Sequence, residues 1–331
     1  MNIKPDFERD ILSAAEFDGI RHASRFSWSY ARETLFRRCK RAYFIRYYLA
    51  QGGWDMYANP LIRSAYIEKY RIPFHIWLAK TFHLAMQSAF RQAAVQPIDK
   101  RKKVFTAACL RYLGRAVTDL QFSLENREYV DDPKKPAILE FLRAPDQSAA
   151  LLDMKQRAVD SFSSAYGTFI KSEIFASILS LNFTALRLDD PFLSFQFEQW
   201  PVWFAPGIVW YDKGQFHSLL AQAWDPEGED GIGSRVTAAL LDLYVQSKWN
   251  FRKTTSSVFV FHETGGFFSP LEPEAAIRSL IRESSTEMLA LIGEDGNVNC
   301  RDFPCTSSES YCENCQFKGT CKALCNWEKT H

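Results

Sequence analysis

Six of the eight cysteines of this 331-residue chain stand in its last 32 residues, at 300, 305, 312, 315, 321 and 325. In YCENCQFKGTCKALC, Cys312 and Cys315 make a C-x2-C pair, and Cys321 follows after five more residues. A tight turn between two such thiols aims both sulfurs inward, so a third cysteine can join them around one metal ion or cluster. The competing reading is a set of reduced, packed thiols; metal or cluster binding is the expectation. Zinc would take a fourth ligand from Cys305 or Cys325, and an iron–sulfur cluster could reach upstream to Cys39. Spacing leaves both open. Disulfides are not expected, because no apolar run follows a basic start and nothing marks the chain for export.

The elements that must position these residues follow from periodicity. Residues 27–50 read as a helix with Ser27 as N-cap and Gly52-Gly53 as its stop. Helical spacing recurs from Pro73 to Arg91, from Asp99 to Gln121 and from Gln147 to Leu181, with a loop at Asp131–Pro136. The segment 191–204 is aromatic and partly alternating, which favours a strand. Residues 207–224 read as strand, turn at Asp212-Lys213-Gly214, and strand. A polar loop (225–233), a helix (234–248), a strand (256–264) and a long amphipathic helix (272–291) lead into the cysteines. The expected organisation is N-terminal core helices (1–70), a helical insertion (71–185), a sheet-containing core (186–293) and the Cys-rich segment (294–331), in an α/β or α+β architecture.

A hydrophobic share of 47% and a net charge of +1 are those of an ordinary folded domain, and exclude a chain that is basic overall. The charge is unevenly placed: eight Lys or Arg against one Glu lie between Arg21 and Arg46. Within that run Arg37, Arg38, Lys40, Arg41 and Arg46 interleave with Tyr43, Phe44, Tyr47 and Tyr48. Such a stretch either engages phosphates and bases or packs its rings into a core beneath a solvated basic face. Lys100-Arg101-Lys102-Lys103 reads as a solvated helix start. With no apolar stretch of 18 residues, the expected location is cytoplasmic.

FSWSYARETLFRRCKRAYFIRYYL (26–49) resembles the opening helix of RecB-like nucleases of the PD-(D/E)xK superfamily. It is closer still to their iron–sulfur branch, the CRISPR-associated exonucleases and the AddB subunits of helicase–nucleases. The resemblance covers the first 50 residues, 191–263 and the tail. It implies an α/β core, a mixed sheet flanked by helices, and a 4Fe–4S cluster on Cys39, Cys312, Cys315 and Cys321 that staples the chain ends; zinc is the alternative. Cys300, Cys305 and Cys325 are extra to the pattern.

Active relatives hold a divalent metal with a helix His, an Asp after a Gly on one strand and Asp/Glu-x-Lys on the next. The metal polarises the phosphate and activates water, and the Lys stabilises developing charge. Here His83 falls at the helix His position, although a lone His on a Phe/Leu-rich helix is more often packed than liganded. Trp210 falls at the Asp position. Ala221 and Ala223 fall at the carboxylate and Lys positions. Leu240 replaces a Gln on the following helix, and Tyr244 is kept. Glu198 stands where some members carry a supporting acid. Asp212, His217 and the acidic loop Asp225, Glu227, Glu229 and Asp230 are the residues to which ligands could have moved, each against a plainer reading as turn or surface. The resemblance therefore implies a catalytically inactive homologue, a DNA-binding or scaffolding subunit whose companions would be a helicase, a nuclease or a genome-defence assembly. The alternatives are an active exonuclease with relocated ligands, and a protein-interaction module with structural zinc.

Overall fold

The computed structural model describes residues 26–180, 186–188, 194–204, 207–212, 215–223, 232–249, 254–262, 265–269, 274–294 and 296–330. The chain forms a mixed helix and sheet structure in two compact units. Unit 1 comprises Met1–Arg71, Arg127–Ala137 and Ile281–His331; unit 2 comprises Ile72–Asn126 and Ile138–Leu280. No described helix is long and apolar enough to cross a membrane.

In unit 1, α1 (Tyr30–Arg38) starts where the Ser29 hydroxyl accepts the backbone N–H of Arg32, two residues after the expected cap. The helix expected over 27–50 is broken. Cys39 is extended (φ −160°, ψ 108°), closes α1 and opens α2 (Lys40–Phe44), and a π turn covers Ile45–Leu49. α3 (Pro60–Lys69) follows, with Asn59 as its cap and Pro60 at its first position. Phe36, Tyr43, Phe44 and Tyr48 are buried together with Phe303, Phe317 and Leu324 from the Cys-rich end. Trp28 Nε1 donates to Ser284 Oγ at 2.8 Å in the same unit. The two ends of the chain thus share one core.

Unit 2 is built on α4 (Phe74–Ala94), α5 (Ile98–Glu125), α6 (Gln147–Phe169), α7 (Glu173–Ser180), β1 (Leu186–Leu188), β2 (Ser194–Phe197), β3 (Trp200–Trp203), β4 (Ile208–Asp212), β5 (Gln215–Ala223), α8 (Ile232–Trp249), β6 (Thr254–His262) and β7 (Gly265–Ser269). The single strand expected over 191–204 is a hairpin, β2–β3. It turns at Glu198, whose positive φ of 52° the sequence does not advertise because neither Gly nor Asn is present. The main sheet has the order β1-β4-β5-β6-β7 and is antiparallel except for the β5–β6 pair. Only a crossover can join parallel neighbours, and α8 supplies it.

Both faces of the sheet are covered. On one, Ala238 and Leu241 of α8 pack on Val258 and Val260. On the other, Phe82 of α4 stacks on Phe259 (5.5 Å between ring centroids) and meets Phe261 at 5.4 Å, while Phe169 of α6 meets Phe259 edge-on at 5.5 Å. The chain of rings continues through Phe90, Phe105 and Phe175. The boundary expected at 70 falls beside the break between units at Arg71 and Ile72, whereas that at 185 falls within unit 2. The segment expected as an insertion supplies the α4 and α6 covers of the sheet, and its residues 127–137 belong to unit 1.

Candidate functional site

Unit 1 holds two groups of cysteines. Cys39 is 6% exposed, and its extended backbone breaks the helix so that Sγ accepts the N–H of Ala42 at 3.4 Å. Cys315 Sγ accepts the N–H of Phe317 at 3.4 Å. Backbone N–H groups directed at sulfur stabilise thiolate charge, as around metal-bound thiolates. Burial pushes the Cys315 thiol up to about 11, and negative charge on Cys39 and Cys312 adds to the rise, so the three lie within electrostatic reach of one another.

Cys321 has as neighbours two cysteines that are extra to the resemblance. Its Sγ is 3.6 Å from Cys305 Sγ, which is 3.8 Å from Cys325 Sγ, and all three sulfurs lie within 4.8 Å of one another. Cys321 and Cys325 are separated by one turn of α9 (Lys318–Thr330), and Cys305 comes in from the loop that follows residues 300–302. Around one tetrahedral ion with metal–sulfur bonds of about 2.3 Å, neighbouring sulfurs stand roughly 3.8 Å apart. The trio therefore has the spacing of ligands to a single thiophilic ion. The Cys321 thiol is raised by burial first and then by Cys305 and Cys325, while Arg41 opposes the rise. A bound cation would reverse that logic and hold the thiols ionised. Cys305 and Cys325, extra to the sequence pattern, are thus two of the three converging thiols. Sequence spacing could not reveal this, because the i, i+4 relation of Cys321 and Cys325 matters only once 318–330 is helical. Cys300 is buried.

The basic stretch divides. Arg41 is 4% exposed; its Nε donates to Phe303 O at 2.7 Å and its backbone N to Pro304 O at 3.1 Å, so it ties α2 to the Cys-rich segment and does not face solvent. Arg37 is exposed but forks onto Glu287 (2.6 and 2.9 Å) and reaches Glu33 at 3.1 Å. Lys40 lies 5.1 Å from the Phe36 ring, Arg46 donates to the carbonyl of Lys69, and Arg38 is half-exposed. Tyr43, Phe44 and Tyr48 are core residues, which leaves Tyr47 as the partly open ring of the four. In unit 2, Arg101 of the Lys100–Lys103 run is also buried; it donates to Gln96 O and Leu179 O, so this run is not a uniformly solvated start.

The positions aligned with nuclease ligands meet on the face of the sheet covered by α4. His83 is buried, and burial lowers its imidazole to about 4, so it is neutral. Its Nδ1 accepts the backbone N–H of Ala221 at 3.2 Å, which leaves the proton on Nε2. One turn on, Gln87 Nε2 donates to Gly207 O at 3.0 Å. These two side chains stitch α4 to β5 and to the start of β4. Gly207 has φ +81°, and a Cβ there would stand 2.6 Å from His83 Cε1, so the glycine admits the imidazole.

Trp210 is 3% exposed and stacks on His217 (5.1 Å, 10°), with its Nε1 buried and unpaired. Ala221 is 7% exposed and faces Phe259 across the β5–β6 register. Ala223 pairs with Phe261, and Tyr244 is buried beside Phe195, its hydroxyl accepting from Lys248 at 2.8 Å. His217 is occupied by the Trp210 stack. Glu198 is exposed at the hairpin turn. The Asp212 side chain and Asp225, Glu227, Glu229 and Asp230 lie outside the described residues.

The opposite face carries a polar chain the sequence did not announce. Asp242 Oδ1 accepts from Ser256 Oγ at 2.5 Å, and Ser256 Oγ lies 2.7 Å from Ser218 Oγ, linking α8 to both parallel strands. Ser218 is fully buried, so the chain holds the sheet and offers no nucleophile to a substrate. Compared with known proteins, the chain matches no family model, and neither curated proteins nor solved structures give a match.

Proposed function

We propose that this chain is a catalytically inactive RecB-like nuclease homologue that acts as a DNA-binding or scaffolding subunit and keeps a thiolate-bound metal centre joining its two ends. The observation that carries the reading is the Ala221–His83 hydrogen bond. The helix His is spent on a strand backbone, beside Trp210 and Ala221 where two carboxylates would have to stand. A neutral imidazole accepting an N–H has no lone pair left for a metal, and alanine offers no oxygen to Mg²⁺. A mixed sheet with helices on both faces agrees with the implied core. The test is incubation with Mg²⁺ or Mn²⁺ and single- or double-stranded DNA. No cleavage above background is expected; cleavage abolished by Asp212→Asn would overturn the reading in favour of relocated ligands.

For the centre itself two assignments compete, and Cys321 belongs to both. A 4Fe–4S cluster would use Cys39, Cys312, Cys315 and Cys321, and the N–H···S contacts at Cys39 and Cys315 favour it. A single zinc ion would use Cys305, Cys321 and Cys325, and their 3.6–3.8 Å spacing favours it. Anaerobic purification with metal analysis separates them. A cluster gives broad visible absorbance and about four irons, survives Cys305→Ser and Cys325→Ser, and is lost with Cys312→Ser. Zinc gives a colourless protein with the opposite pattern of sensitivity.

A further inference from the structure

Among the described residues of unit 1, four cations from separate elements gather near two tyrosine rings. Arg32 comes from α1, Arg46 from the π turn, Lys69 from the end of α3 and Lys134 from the segment 127–137. The Arg32 guanidinium lies 4.3 Å from the centre of the Tyr47 ring, and Arg46 lies 5.9 Å from the same ring. Arg46 Nη1 donates to Lys69 O at 3.2 Å, and the Lys69 ammonium is 6.0 Å from the Tyr70 ring. The Tyr70 hydroxyl feels both Lys134 and Arg46. Burial pushes the Lys69 ammonium below its ordinary range, and the positive charges of Arg46 and Arg32 push it the same way.

Among the described residues none of the four cations carries a carboxylate partner. Glu33 is engaged with Arg37, and Glu68 with Thr320 and Arg71, while Asp132 accepts the backbone N–H of Lys134 at 3.0 Å and makes no ion pair with its ammonium among the described residues. Arg32 is 8% exposed and its Nε is buried without a hydrogen-bond partner.

Like charges gathered near one another repel, and the repulsion is stronger where water is partly excluded. The C-terminus of α3 offsets at most about half a charge, and the faces of the tyrosine rings attract the cations only weakly beside that repulsion. The remaining positive field calls for an anion. Two guanidinium forks beside two ammonium groups match a tetrahedral oxyanion. The half-buried rings of Tyr47 and Tyr70 beside them suit bases attached to it.

We propose that Arg32, Arg46, Lys69 and Lys134 form a phosphate-binding site walled by Tyr47 and Tyr70, and that its ligand is the backbone of a nucleic-acid strand. The choice of strand rests on the DNA-binding reading above; the phosphate site does not. The probes are inorganic phosphate, compared with chloride at equal ionic strength in a thermal-shift assay, and a labelled 15-mer of single-stranded DNA followed by anisotropy across a salt series. Arg32 holds the backbone of Ser27 and is left intact; the variants are Arg46→Gln/Lys69→Gln, Arg46→Lys and, in unit 2, Lys103→Gln, with circular dichroism confirming their fold.

The expected result is loss of phosphate protection in the double variant. Oligonucleotide binding weakens at least tenfold whatever the sequence, and the salt slope is shallower by about 1.4, or 0.7 for each lost contact. Arg46→Lys and Lys103→Gln stay within about threefold of wild type. Unchanged phosphate protection in the double variant overturns the site. Lost phosphate protection with unchanged oligonucleotide binding overturns the strand assignment and leaves a site for free phosphate. If the wild type binds no oligonucleotide at low salt, the DNA-binding reading falls, and the phosphate arm alone decides the site.

Discussion

Around Cys305, Cys321 and Cys325, unit 1 keeps reactive side chains at or near the surface, three sulfurs facing one point. Around Trp210, His83 and Ala221, unit 2 seals the equivalent opportunity with rings and a strand backbone. Both regions bring residues of distant sequence together, and both contain groups able to bind metal. The difference lies in what the groups are spent on. The three sulfurs of the trio lie within 4.8 Å of one another, close enough to share one metal ion. His83 has committed both the acceptor on Nδ1 and the room around Cε1 to packing. A residue type with chemical potential becomes a site only when the fold leaves its reactive atom uncommitted.

The sharpest way to break this comparison is to strip the thiols of any metal they hold. A structural metal on thiolates stabilises small folds by about 10 kcal/mol or more at neutral pH. Chelation, or Cys321→Ser, is therefore expected to lower the first thermal transition by more than ~10 °C, while circular dichroism still reports an intact sheet. A single unchanged transition would mean that the thiols are only packed. Next comes the sealed face: Phe82→Ala removes a fully buried ring that touches Phe162, Phe169, Phe259 and Phe261, and should cost about 3–5 kcal/mol in urea unfolding. A cost below ~1 kcal/mol would mean the face is open.

The third effect is a pH dependence. His83 is lowered to about 4 in the fold against 6.5 for an ordinary imidazole. Between those values the unfolded chain binds a proton that the folded chain refuses, so stability is fully present above about pH 6.5 and is lost as pH falls towards 4. The loss is of order 3 kcal/mol. His83→Asn places an oxygen near Nδ1 to accept from Ala221 and should flatten the dependence between pH 7 and 4.5; a variant as pH-sensitive as wild type would assign the effect to another group. The smallest effect belongs to the exposed fork of Arg37 on Glu287, where Arg37→Ala should cost less than ~1 kcal/mol and less still in high salt.

Much of this was legible in the sequence. The 3.6-residue spacing of Phe74, Trp77, Leu78, Phe82 and Phe90 placed α4, and the Ile208–Asp212 and Gln215–Ala223 strands followed from their turn. The resemblance singled out Trp210, Ala221 and Ala223, which the register places on one face of the sheet, and the crowding of cysteines marked the terminal segment. Periodicity and residue type carry such information because they act locally.

Tertiary packing decided the rest. It divided 26–49 at Cys39, because a thiol held by the Ala42 N–H requires an extended backbone inside a helical pattern. It turned Arg41 inward to the Phe303 carbonyl, which no count of basic residues foretells. It moved Cys321 into company with Cys305 and Cys325, and it brought Arg32, Arg46, Lys69 and Lys134 around two tyrosines from three separate stretches of chain. Which cysteines face one another, and which cations lack acids, are relations between surfaces that exist only after the helices pack. The sequence by itself determined the kinds of side chain present and the elements that carry them; only the fold decided which reactive atoms remain free to act.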